Sequence, residues 1–187
     1  MERWCRLWSA ESWDRCVANS IKSELAEILK REGWPTYTDH PDDRGGPTKG
    51  GITLSTLRSW RGLSMLGEKA LRELKHDEAL SILYRRYVEC NGINKLPNNP
   101  LKYQVIDNSV LSGPFLAVKD LQKSVQVKED GIIGPITLDA IYKKGHIDVN
   151  RNLAINRSLR LAKFVQKNPN QLVFLVGWLN RCLSFIN

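Results

Sequence analysis

The chain is expected to be mostly α-helical, on three observations. Apolar residues make up 42% of its 187 residues, enough to build a core in one domain or a domain with a small appendage. They recur three and four positions apart along most of the chain, which is the period of an amphipathic helix. Helix-breaking residues gather instead in one stretch, WPTYTDHPDDRGGPTKGGIT at 34–53, which holds four Gly and three Pro.

Residues 1–19 hold three of the six Trp among many charges and show no clean period, so they read as an N-terminal extension without an assigned element. From Ser20, a residue able to cap a first turn, Ile21, Leu25, Ile28 and Leu29 form an apolar stripe that ends at Gly33 and Pro35. The following stretch predicts loops, tight turns or a short hairpin. Leu54–Trp60 predicts a short helix capped by Thr53. Asp77–Cys90 predicts a helix with Leu80, Leu83, Tyr84 and Tyr87 on one stripe and a stop at Asn91-Gly92. Pro100–Leu111 repeats the pattern, Ser112-Gly113-Pro114 breaks it and Phe115–Val125 resumes it. Gly134-Pro135 opens a helix that closes near Gly145, and two more helical stretches cover roughly 150–167 and 170–186.

The charge balance narrows the partners. Lys and Arg number 28 against 20 Asp and Glu, a net charge of +8 with a pI near 9.4, so polyanions attract the chain: nucleic acid, anionic membrane or bacterial envelope polymers. The longest unbroken apolar run lies near Leu172–Val176, far short of the roughly 18 residues that span a bilayer. The opening MERWCRLWSAESWDRC has Arg3 and Arg6 but no apolar core or cleavage site, so a signal peptide is not expected and synthesis in a cytoplasm is. Cys5, Cys16, Cys90 and Cys182 are too widely spaced for a paired zinc site and read as reduced thiols.

Glu32 is the residue that suggests chemistry. It continues the series Ile21, Leu25, Ile28 and would point to the apolar face, where burial favours a protonated carboxyl that can act as an acid near neutral pH. The plain alternative is that it turns to solvent or pairs with an Arg. The loop that follows supplies Asp39, Asp42, Asp43 and Thr48. An acid facing a second polar group about 5–10 Å away is the layout that glycoside hydrolysis requires.

Several ordered blocks carry a family resemblance: Glu32-Gly33, Asp42-Asp43-Arg44-Gly45-Gly46-Pro47-Thr48-Lys49 and Gly51-Ile52-Thr53. Downstream stand Asp77-Glu78-Ala79, Tyr84-Arg85-Arg86-Tyr87, Asp107, Ser112-Gly113-Pro114, Asp130-Gly131-Ile132-Ile133-Gly134-Pro135 and Gly177-Trp178-Leu179-Asn180-Arg181. Together they resemble the family 108 glycoside hydrolases, N-acetylmuramidases of phage endolysin type, with a C-terminal peptidoglycan-binding region. The resemblance implies a lysozyme-like helical catalytic region at 20–112 and a helical peptidoglycan-binding-like region at 113–187, packed on the first. It implies cleavage of the β-1,4 bond between N-acetylmuramic acid and N-acetylglucosamine, with Glu32 as the acid. Thr48 would position water, and either Asp43 or Asp39 would be the second carboxylate. Trp34, Gly51, Thr53 and Asp107 are expected on the substrate side, Trp34 as a sugar platform or a core residue. The chain departs from the family pattern in having Trp34 where a second Gly is usual, Gly50 where Tyr is usual and Leu111 where Asn is usual.

No metal or cofactor is expected. His40, His76 and His146 lack ligand spacing, and no HExxH, phosphate loop or Ser/His/Asp set occurs. The block at 130–135 reads as a turn leading into a helix. Arg157, Arg160, Lys163 and Lys167 recur at helical spacing and predict a basic helix face. A nonenzymatic nucleic-acid or wall-binding protein would also fit the charge, but Asp39, Asp42 and Asp43 would repel phosphate, so nucleic acid is not expected as a partner. A lytic transglycosylase acting on the same bond is the alternative within enzymes. The expected partners are peptidoglycan and a holin or another export partner. The protein is expected to be a monomer, released to act in the periplasm.

Overall fold

The computed structural model describes residues 19–39 and 46–186. The extension at 1–18, with Cys5 and Cys16, lies outside the described residues, as do His40, Asp42 and Asp43. The chain is mostly helical and divides into two compact units, one up to Arg85 and one from Arg86.

The first unit opens with α1 (Asn19–Arg31), whose Ile21, Leu25, Ile28 and Leu29 are buried as their spacing predicts. A small antiparallel sheet follows: β1 (Tyr37–Thr38), β2 (Thr48–Lys49) and β3 (Ile52–Thr53), paired in that order. Next comes α2 (Leu54–Arg61), where the Thr53 hydroxyl accepts the Thr56 N–H at 3.1 Å as the expected cap. It stops at Gly62, which takes the left-handed conformation that a side chain disfavours. A five-residue helix not anticipated from sequence, α3 (Glu68–Arg72), precedes α4 (His76–Tyr84). Ala79, Leu80, Ile82 and Leu83 are buried, and α4 packs against α1. Arg61 at the end of α2 holds Glu78 of α4 through two bonds of 2.8 and 2.7 Å.

The helix expected to run on to Cys90 is α-helical only to Tyr84. It loosens into one π turn at Arg85–Glu89 and then tightens into 3₁₀ turns at Cys90–Lys95. Asn91 and Gly92 both have positive φ there, 64° and 81°, and reverse the chain. The second unit then holds α5 (Pro100–Ser112), α6 (Pro114–Ser124), α7 (Pro135–Lys144), α8 (His146–Lys167) and α9 (Leu172–Leu183). α8 starts four residues earlier than anticipated, directly at Gly145, and packs against α5, α6, α7 and α9. α5 and α6 also pack on each other.

The block at 130–135 is a locked turn. Gln122 of α6 donates to Asp130 at 2.7 Å, and its carbonyl oxygen accepts the Gly131 N–H at 2.8 Å. Gly131 has φ 76°, and the Phe115 ring occupies the place where a Cβ would go. The Ile133 N–H and the Asn91 side chain tie this turn to the 3₁₀ segment.

Two expected surface arginines point inward. Arg157 lies on the buried series Val149, Leu153, Leu161 and Val165, spaced four apart, and is itself fully buried. Its guanidinium meets Asp107 at 2.7 Å. Arg160 binds Asp120 at 2.9 Å and also reaches Asn108 and Ser112. Only Lys163 and Lys167 of the predicted basic set face solvent.

Candidate active site

α1 ends just at the residue of interest. The Glu32 N–H still bonds the Ile28 carbonyl at 3.0 Å, while Gly33, at φ 86°, and Trp34 return their N–H groups to Lys30 and Leu29. This ending turns Glu32 outward. Of the two readings open to it, Glu32 follows the plain one and turns to solvent: the side chain is exposed, because the stripe that would have buried it stops with the helix.

Exposure does not leave Glu32 isolated from the loop. β2 and β3 are joined by Gly50-Gly51, with φ of 53° and 77°, the two-residue turn whose twist matches a hairpin and which L side chains resist. A Cβ on Gly51 would stand 3.2 Å from the Glu32 Cβ and 3.3 Å from Oε2. The acid therefore lies against bare backbone at the tip of the hairpin. Gly50 bears the same relation to Trp34, since a Cβ there would come within 2.7 Å of the indole Cε3. Trp34 is half-buried, with the His76 ring edge-on at 5.7 Å and the Lys49 ammonium 5.0 Å from its centroid. The aromatic at 34 and the glycine at 50, which looked like two departures from the family pattern, are one packing arrangement.

The strand register sets the polar groups nearby. Thr38, Thr48 and Thr53 are cross-strand partners and share one face of the sheet, while Tyr37, Lys49 and Ile52 share the other. The Thr48 hydroxyl, half-buried, donates to the Gly46 carbonyl at 3.0 Å, which leaves its oxygen lone pairs as acceptors. Asp39 is exposed and directly follows β1. Thr53 is committed to the cap of α2 and bonds the hydroxyls of Ser55 and Thr56.

The other face anchors the hairpin. Lys49 donates to the Arg72 and Leu74 carbonyls at the end of α3, a favourable place for a cation. The Tyr37 hydroxyl donates to Glu68 at 2.7 Å, and the Arg72 guanidinium lies 3.6 Å from the Tyr37 ring centroid. Partial desolvation and then the bond to Glu68 raise the Tyr37 pKa; the same bond lowers that of Glu68. Sequence reasoning missed this clamp. The signal available was the Gly-Gly pair, which marks a hairpin and so fixes which residues share a face with Lys49.

Asp107 is not placed to meet a sugar. It is fully buried in the second unit, one oxygen taking Arg157 at 2.7 Å and the other Arg181 at 2.6 Å. Among the described residues no group of three or more His, Cys, Asp or Glu stands together to hold a metal.

An exposed carboxylate thus stands at the end of α1 against a glycine hairpin, whose sheet carries three threonines on one face. Comparisons with known proteins give the class: a glycoside hydrolase acting on peptidoglycan. Residues 25–113 match the model described as Glycosyl hydrolase 108, and residues 116–183 match the one described as Predicted Peptidoglycan domain. Among solved structures the chain is similar to Brucella abortus SagA, at 30% identity and a TM-score of 0.67 over 90% of this chain and 96% of that one. The chain belongs to the glycosyl hydrolase 108 family. Comparison with curated proteins found no match.

Proposed function

We propose that the enzyme is an endolysin-type muramidase that hydrolyses the β-1,4 bond between N-acetylmuramic acid and N-acetylglucosamine, with Glu32 as general acid. The observation that carries this reading is the seating of the Glu32 carboxylate against Gly51, because a pyranose can approach where no side chain intervenes. Glu32, exposed in the structure, is open to a glycan that seats against the hairpin. Glu32 then passes its proton to the glycosidic oxygen as the bond to the anomeric carbon breaks. Thr48 accepts a hydrogen bond from the attacking water, and Asp39 or Asp43 stabilises the oxocarbenium ion or takes the water's proton. The protein acts as a monomer on the wall in the periplasm, reaching it through a holin.

Mass spectrometry of muropeptides released from purified sacculi tests this directly. Glu32→Gln is expected to keep the fold and lose roughly 10²-fold or more of the release. Near-normal release would remove Glu32 from the mechanism. New reducing ends mark hydrolysis, whereas 1,6-anhydro ends would make the enzyme a lytic transglycosylase.

A further inference from the structure

We propose that α8 and α9 of the second unit form a docking surface for an anionic phospholipid bilayer, on which the helix pair rests without crossing it. Nine of the twelve residues of α9, LVFLVGWLNRCL, are apolar, yet only Cys182 is buried. Leu172, Val173 and Val176 are 61%, 76% and 68% exposed. Phe174 stacks on Trp178 at 5.8 Å and Trp178 meets the exposed Phe164 of α8 at 6.1 Å, so the apolar surface continues across both helices. An apolar surface of that continuity marks an interaction site rather than scattered exposure.

Charge selects the occupant. From Val149 to the last residue the sequence has no Asp or Glu and six basic residues. Arg157, Arg160 and Arg181 are turned inward onto Asp107 and Asp120, while Lys163 and Lys167 flank Phe164 in solvent. The two helices therefore present lysines and contribute no acid of their own beyond Asp148. A second copy of this face would set lysines against lysines. An anionic bilayer answers both features, offering acyl chains to the leucine and valine side chains and phosphates to the lysines. No helix among the described residues is long and apolar enough to cross a membrane, so the pair lies in the interface.

The test is co-sedimentation of the full-length protein with vesicles of phosphatidylglycerol and phosphatidylethanolamine, against vesicles of phosphatidylcholine alone. Wild type is expected to pellet with the anionic vesicles at low salt and about tenfold less with the neutral ones. Val173→Glu combined with Val176→Glu should weaken binding by about tenfold or more, with unchanged melting. Lys163→Gln and Lys167→Gln should each cost about fivefold. The proposal fails if wild type does not pellet with anionic vesicles, or if the valine variant pellets equally. A concentration-dependent dimer dissolved by Val173→Glu would assign the face to a second copy and overturn it as well.

Discussion

Gly51 determines how near the hairpin can come to Glu32, and its backbone explains why it is glycine. At φ 77° any side chain is strained, and at 3.2 to 3.3 Å from the Glu32 side chain a methyl group would press on the acid itself. Gly51→Ala should therefore lose about 1–3 kcal/mol of stability in denaturant titration and also lower turnover on sacculi. Gly62→Ala separates the two effects, because Gly62 has φ 67° but nothing within 4 Å. Equal turnover in the two variants would mean that Gly51 shapes the fold without shaping the site. The same scale shows two side chains that local spacing does not place. Glu32 extends an apolar stripe by one more turn, and Arg157 belongs to a series of basic residues that predicts an exposed face. Arg157 is buried, because α8 runs on to Leu161 and Val165 and its neighbours cover both sides. Glu32 is exposed, because Gly33 ends α1 and the apolar stripe stops with the helix.

At the scale of elements, polar side chains of the helices hold the turns that composition alone leaves open. Lys49 and Tyr37 pin the sheet to α3, and Gln122 of α6 holds the turn at 130–135. The Asp130 carboxyl is drawn below its ordinary value of 3.8, first by the Gln122 amide and then by the Ile132 N–H, so folding favours its ionised form. Its contribution is complete above pH 3.8 and disappears as pH falls through the lowered value. The stability gap between wild type and Asp130→Asn, followed by circular dichroism from about pH 6 to pH 2, should hold at the upper end and narrow below 3.8. A gap that does not change with pH would show that the turn does not depend on the charge. The type of element was legible from periodicity and from Gly and Pro punctuation: α1, α2, α5, α6 and α7 lie where the sequence predicts. The ends were less legible. The π turn after Tyr84 and the short α3 carry no local signal, since neither has a cap or a repeat long enough to read.

For the molecule as a whole, the net charge of +8 describes the chain better than it describes the surface. In the second unit Arg157 and Arg181 converge on one buried carboxylate. Asp107→Asn should cost about 3–5 kcal/mol, because it leaves the fully buried Arg157 without its counter-charge. Thermal unfolding would show this, and a melting point near wild type would mean that the arginines find other acceptors. Amino-acid order by itself determined the helical class, the Gly- and Pro-rich turns at 34–53 and the carboxylate at the end of α1, because these depend on spacings of a few residues. Tertiary structure decided that Glu32 faces water, that Trp34 fills the space over Gly50 and that Arg157 neutralises Asp107. Each of these depends on which distant backbone stands beside the side chain, and local periodicity contains no term for that.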